Sequence, residues 1–234
     1  MLLRQAIETP WSNQMIETTP LVHAEPAPWP HPRRAWANAK FFESMDWYSH
    51  RRLGARKRAL FADLPRVVVE LGAGAGASMR YLAPGSKLIA VEPNPHTHDA
   101  LRRNAERYGI DLEIREEPAE STGLAGASVD AVICTLVLCT VDDPTAALAE
   151  VHRILRPGGR FVFIEHVRSG PGPVRAVQRL LRRPWRYLFD GCCLDRDTAS
   201  SIAAAGFADV RVEPFRFGGV FVPVWPQISG VAVA

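Results

Sequence analysis

The stretch best suited to chemistry is Val67-Val68-Val69-Glu70-Leu71-Gly72-Ala73-Gly74-Ala75-Gly76, an apolar run that ends in three spaced glycines. A buried strand entering such a turn lets its backbone approach a ligand closely, because glycine has no Cβ. A helix expected after the turn would point its free N–H groups at the same place. Glu92 closes the next β-like run, 20 residues beyond Gly72. A carboxylate there can accept hydrogen bonds from both ribose hydroxyls of a nucleoside. Gly72-x-Gly74-x-x-Ala77 also satisfies the looser dinucleotide fingerprint, so turn and acid alone leave NAD open. Glu70 weighs against it. A negative side chain beside the loop disfavours a pyrophosphate and suits a ligand carrying an ammonium and a sulfonium.

Open α/β sheets place ligands above the carboxyl ends of their strands, a rule that selects His166 and Cys139. His166 is the first candidate to accept a proton or orient a substrate. The four cysteines, at 134, 139, 192 and 193, form no Cys-x-x-Cys pair. They read as reduced thiols, and Cys139, Cys192 and Cys193 as small buried hydrophobes rather than nucleophiles. His96-x-His98 has no third ligand within sight, so surface histidines and no metal site are expected.

The elements that must position these groups are readable from about Trp36 onward. Residues 36–64 are helical in pattern, with Phe41, Phe42, Met45 and Tyr48 on one stripe. After Pro65, strand candidates cover 66–71, 87–91, 112–115, 130–136 and 160–166. Asn94-Pro95 and Asp143-Pro144 each offer an N-cap followed by Pro at the first helical position. The helix opened by Asp143 should run to about Leu155 and stop at Pro157-Gly158-Gly159, and another should start near Asp195 and stop at Gly206. Two β-like stretches, 208–215 and 228–234, close the chain. The expected fold is α/β: a Rossmann-like, seven-stranded, mostly parallel sheet with helices on both faces and its last strand antiparallel.

The chain has 234 residues, 47% of them hydrophobic and 23% charged, which excludes wholesale disorder. Residues 1–35 carry Pro10, Pro20, Pro26, Pro28, Pro30 and Pro32 with Trp11 and Trp29, and read as an arm or lid ahead of a single domain at 36–234. The longest apolar run, Ala131 to Val141, falls well short of the ~20 residues that span a bilayer. With no secretory signal in evidence, a cytoplasmic protein is expected. The net charge of +3 does not suggest nucleic acid. All 28 basic residues except Lys40, Lys57 and Lys87 are Arg. Five of them stud Pro173–Arg186, an amphipathic segment that could rest on an anionic membrane surface, guide an acidic substrate, or present an ordinary solvated helix face over the pocket.

Taken together, the glycine turn, Glu92, the 130–141 strand and loop, and Leu155-Arg156-Pro157-Gly158-Gly159 resemble the class I S-adenosylmethionine (SAM) dependent methyltransferases of the type 11 group. Val91-Glu92-Pro93-Asn94-Pro95-His96, Cys134-Thr135-Leu136-Val137-Leu138-Cys139, Glu165-His166-Val167, Asp190-Gly191-Cys192-Cys193-Leu194 and the 223–230 end are similar to the methyltransferase-like 7 family, the thiol S-methyltransferases. Where that family carries a hydrophobic anchor, this chain has its Pro/Trp arm. The resemblance implies SAM as cofactor, S-adenosylhomocysteine as product and a small-molecule acceptor, with no nucleic acid partner. It places Glu70, Gly72, Ala73, Gly74 and Gly76 around the methionine part, Glu92 at the ribose, Pro93 and Asn94 beside the adenosine, and Ala119 and Glu120 along the adenine. Thr135 and Leu136 would face the methionine, and Tyr48 would close over its carboxylate end. It sets Asp190 over the pocket, to take a proton or orient His166. The acceptor implied is a small, fairly apolar thiol. An O- or N-methyltransferase of a lipid or secondary metabolite, and a SAM-binding module without transfer activity, remain alternatives.

Overall fold

A computed structural model describes residues 32–234, so nearly all of the Pro/Trp arm lies outside the described residues. Two helices come first, α1 (Pro32–Ser44) and α2 (Asp46–Phe61). Strand and helix then alternate: β1 (Val67–Leu71), β2 (Lys87–Val91), α3 (His98–Tyr108), β3 (Asp111–Arg115), β4 (Val129–Thr135), α4 (Pro144–Ile154) and β5 (Leu155–His166). The chain closes with α5 (Pro173–Leu188), α6 (Thr198–Ala203), β6 (Asp209–Arg216) and β7 (Pro226–Val233). The strands form one sheet in the order β3-β2-β1-β4-β5-β7-β6. β7 runs antiparallel to both its neighbours and the other pairings are parallel, as the sequence led us to expect.

Alternation along the strands divides the core into two layers. Val69, Leu71, Ile89, Val91, Val132, Phe161 and Phe163 face α4 and α6. Val68, Leu88, Ala90, Ile133 and Val162 face α2 and α3. A sheet buried on both faces needs continuous apolar strands, and β1, β2, β4 and β5 supply them. The order reverses between β1 and β4, so the crevice outside their carboxyl ends is where ligands lie in sheets of this kind.

The predicted caps are present. Asp143 accepts from the N–H groups of Thr145 and Ala146 at the start of α4, and Asn94 accepts from His96 N–H in the turn that leads into α3. Three expectations need correcting. Only a single 3-10 turn, Met79–Tyr81, follows the glycine turn. Pro84 interrupts the chain so soon after Gly76 that no full helix fits, which removes the helix N-terminus as a ligand site. Pro157-Gly158-Gly159 does not separate helix from strand: α4 stops at Ile154, β5 already starts at Leu155, and the three residues bulge within it, Val129 pairing with Leu155 and Ala131 with Arg160. The helix placed near Asp195 is the short α6, capped by Asp197.

One buried polar side chain ties α5 to the segment after β5 and to the turn before β7. Gln178 accepts from Ser169 N–H at 2.8 Å and donates to the carbonyls of Val167 at 3.1 Å and Pro223 at 2.9 Å. Leu180, Tyr187 and Leu188 on the same helix are exposed. Replacing Gln178 by Ala leaves buried backbone groups without partners. We expect a loss of about 2–3 kcal/mol in urea unfolding, with hydrogen exchange rising first in α5 and residues 217–225.

Candidate functional site

The site lies at the carboxyl ends of β1, β2, β4 and β5, where each strand delivers a polar group. Glu92, buried just past β2, accepts from Gly74 N–H at 2.7 Å on one oxygen and from Asn94 N–H at 2.9 Å on the other. The carboxylate therefore fixes the glycine turn and keeps a lone pair on each oxygen for a diol. Burial raises its pKa, with the Asn94 and Gly74 N–H groups opposing. Asn104 holds the other side of the turn through the Ala75 carbonyl at 2.7 Å. His98 is not at the surface: it is buried, and its Nε2 lies 2.9 Å from the Glu92 carbonyl.

The three glycines do different work. A Cβ on Gly72, where φ is +58°, would overlap the methyls of Val137 from the loop after β4. Around Gly74, at φ +54°, a Cβ would meet nothing within 4 Å. Gly72 thus closes the turn against its neighbour, whereas Gly74 faces open space.

Glu70 is buried on β1, and burial raises its pKa to about 7, with Lys57 and Ser78 opposing. Lys57 is itself buried and lowered by desolvation, and it donates to Ser78 Oγ at 3.0 Å. Buried polar atoms normally find partners. Among the described residues Tyr48 Oη, Glu70 Oε2, Thr135 Oγ1 and His166 Nδ1 are buried without one. All four belong to side chains the sequence placed in the site. Leu136 sits at the end of β4 in the left-handed region, at φ +60°, which turns the chain sharply there.

Glu165, the penultimate residue of β5, is fully buried and is the main site residue the sequence reading did not single out. It accepts from Val137 N–H at 2.8 Å, Leu138 N–H at 3.0 Å, Cys139 N–H at 3.3 Å and Cys134 Sγ at 3.4 Å. The sequence signals were an acid at the end of an otherwise apolar strand, just ahead of His166, and its place in the family-like Glu165-His166-Val167 stretch.

His166 does not meet Asp190. Its Nε2 lies 3.1 Å from Cys192 Sγ, which also accepts from Trp185 Nε1 at 3.3 Å and lies 3.9 Å from Cys139 Sγ. Contacts with Cys139, His166 and Trp185 hold the Cys192 thiol down to about 4, and the same pair raises His166 against its burial. Asp190 instead takes a 2.9 Å ion pair from Arg34 on α1, from a backbone at φ +41°. The next residue of α1 is held by Asn94, whose side chain donates to the Ala35 carbonyl at 3.2 Å. α1 therefore bridges the Glu92 side and the Asp190 side. Around it Phe41, Phe42, Phe189 and Phe221 pack ring on ring, and Tyr48 packs on Phe217 and Phe221. Farther out, Ala119 is buried and Glu120 accepts from Asp143 N–H at 3.2 Å. Pro93 is half-buried between Glu92 and Asn94.

Residues 69–163 match the family described as Methyltransferase domain. A thiol S-methyltransferase of Rattus norvegicus (TMT1B) is 36% identical over 201 residues, covering 79% of this chain and 81% of the relative. One from Homo sapiens (TMT1A) is 33% identical over 193 residues, covering 77% and 79%. The chain belongs to the thiol S-methyltransferase family. It is a SAM-dependent methyltransferase. The fold agrees with a SAM-dependent methyltransferase from Aquifex aeolicus, with a TM-score of 0.56 at 14% identity over 83% of this chain and 97% of that one. It agrees too with a Burkholderia thailandensis N1-methyltransferase carrying S-adenosylhomocysteine, with a TM-score of 0.54 at 21% identity over 88% and 92%.

The residues fit such a cofactor. The Glu92 oxygens have capacity for a ribose diol, Gly74 leaves room above the turn, and the unpartnered Glu70 oxygen meets the need of a cationic amino acid moiety.

Gly72→Ala should cost about 2–4 kcal/mol of stability through overlap and backbone strain, read by thermal unfolding. Gly74→Ala should cost only about 1 kcal/mol from its backbone conformation while weakening SAM binding, read by calorimetry. Because the Glu70 pKa is raised, its contribution to stability is present below about 4.5 and lost as the pH climbs through about 7. A cationic ligand favours the ionised form, so SAM affinity should rise between pH 5.5 and 8. Glu70→Gln should flatten that rise.

Proposed function

We propose that the protein transfers a methyl group from SAM to a small, fairly apolar thiol. One observation carries the reading: Glu70, Thr135 and His166, at the ends of β1, β4 and β5, each keep a buried polar atom without a partner, and His166 is paired with the buried Cys192. The relatives' thiol S-methyltransferase names support the acceptor class. When bound, the cofactor supplies a methyl group on a positively charged sulfur.

This chain's residues supply placement and charge. Glu92 holds the ribose, with Pro93 and Asn94 beside the nucleoside and Ala119 and Glu120 along the base. Glu70, the turn from Gly72 through Ala73 and Gly74 to Gly76, Thr135, Leu136 and Tyr48 surround the amino acid end. The aromatic cluster excludes water from the acceptor, which must lie in line with the methyl group for displacement. A free thiol with a pKa near ~8.5 is mostly protonated at neutral pH, so positive charge beside it helps. His166 carries that charge, shared with Cys192, and its Nδ1 is left without a partner. Asp190 acts through Arg34, closing α1 over the pocket, rather than on His166.

No helix among the described residues is long and apolar enough to cross a membrane. The exposed Leu180, Tyr187 and Leu188 beside Arg179, Arg183 and Arg186 on α5 favour peripheral contact with an anionic membrane surface, from the cytoplasmic side where free cysteines stay reduced.

The deciding experiment offers small thiols, phenols, amines and lipids to the protein with SAM and measures S-adenosylhomocysteine released. Turnover should be confined to apolar thiols, and turnover of phenols or amines alone would refute the reading. Glu92→Ala should weaken SAM binding by about 1–3 kcal/mol. Unchanged affinity would show that the nucleoside lies elsewhere.

A further inference from the structure

Cys139, His166 and Cys192 are far apart in sequence and arrive from three segments: the loop after β4, the end of β5 and the loop after α5. All three are buried, and Cys139 Sγ, His166 Nε2 and Cys192 Sγ lie within 4.8 Å of one another. A tetrahedral zinc ion with Zn–S of about 2.3 Å and Zn–N of about 2.0–2.1 Å sets its sulfurs about 3.8 Å apart and each sulfur about 3.6 Å from the nitrogen. The observed Sγ–Sγ distance is 3.9 Å, and the Nε2–Sγ distance of 3.1 Å need open by only about half an ångström.

The surroundings suit ligands held in place. Glu165 fixes the Cys139 backbone through its N–H, and Cys193 N–H donates to the Cys139 carbonyl at 2.8 Å. Cys192 N–H is tied to the Phe189 carbonyl at 2.9 Å, and Trp185 Nε1 donates to its sulfur. Such outer contacts orient metal ligands. Two thiolates and an imidazole form a soft set that selects zinc over calcium or magnesium.

We infer that Cys139, His166 and Cys192 bind a zinc ion whose fourth position takes the sulfur of the acceptor thiol. Three protein ligands leave that position open, as catalytic zinc sites do. The acceptor S–H gives up its proton to solvent as the Zn–S bond forms, and the bound thiolate is the nucleophile for the methyl group. No redox change occurs. On binding zinc, Cys139 and the His166–Cys192 pair release their protons to solvent, so the ion replaces the shared proton beside the acceptor; the two ligand thiolates offset its charge, and the acceptor thiolate is held by the Zn–S bond itself. The site itself stands on geometry alone, whereas the role of the fourth position rests on the thiol reading above.

The test uses the full chain, reduced and reconstituted with zinc, freed of excess metal, and measured by elemental analysis and zinc-edge X-ray absorption. One zinc per chain is expected, with two sulfurs at about 2.3 Å and one imidazole nitrogen at about 2.0–2.1 Å. Adding a small alkyl thiol should raise the sulfur count to three. Cys139→Ser and Cys192→Ser should lose about 100-fold or more in zinc affinity while binding SAM as before; Cys192→His, which keeps a ligand, should retain the metal. Absence of stoichiometric zinc, or a spectrum without sulfur neighbours, overturns the site even if thiols are still methylated. Bound zinc with an unchanged sulfur count on adding thiol overturns the role of the fourth position. Bound zinc in a protein that methylates only phenols or amines refutes the thiol reading and that role together, and leaves the metal site standing.

Discussion

The Glu165 carboxylate, buried with no exposed surface, governs how the catalytic end of the sheet is put together. Removing a carboxylate from water is costly unless hydrogen bonds replace the lost solvent, and three successive N–H groups from Val137 to Cys139 do so. That arrangement sets the loop after β4. The loop in turn presses Val137 onto Gly72 and brings Cys139 to Cys192 and His166. One interaction therefore sets both the glycine turn and the cysteine–histidine cluster.

Three buried glutamates, Glu70, Glu92 and Glu165, stand at the carboxyl ends of β1, β2 and β5, and burial raises the pKa of each. Their outcomes differ because their partners differ. Glu92 and Glu165 are fed by backbone N–H groups, so their positions are set before any ligand arrives. Glu70 faces the distant charge of Lys57 and keeps one oxygen free, so its energy depends on what binds. Two of the acids build the site, and the third responds to its occupant.

Much of this was legible in the sequence where the cause is local. Asp143 and Asn94 cap because a short acceptor two or three residues ahead of free N–H groups needs no distant partner. Strands β1, β2, β4 and β5 are legible because a sheet covered on both faces requires unbroken apolar runs. The proposed nucleoside site at the glycine turn and Glu92 is read for the same local reason. What escaped reading depends on folding. The meeting of Cys139, His166 and Cys192 comes from the sheet order, and the pairing of Asp190 with Arg34 requires α1 to fold back across the site. The missing helix after Gly76 was readable in principle, since Pro84 leaves no room for it, but the motif's usual continuation outweighed the count of residues.

The aromatic cluster proposed to cover the acceptor is made of Phe41, Phe42, Phe189 and Phe221 touching through their rings, with the Arg34–Asp190 ion pair holding the same helix, α1. Edge-on and tilted rings can slide past one another at little energetic expense, whereas hydrogen-bonded walls hold one outline. A roof of this kind ranks its guests by the water they shed rather than by their silhouette, and so tolerates a wide range of molecular shapes around a single reactive atom.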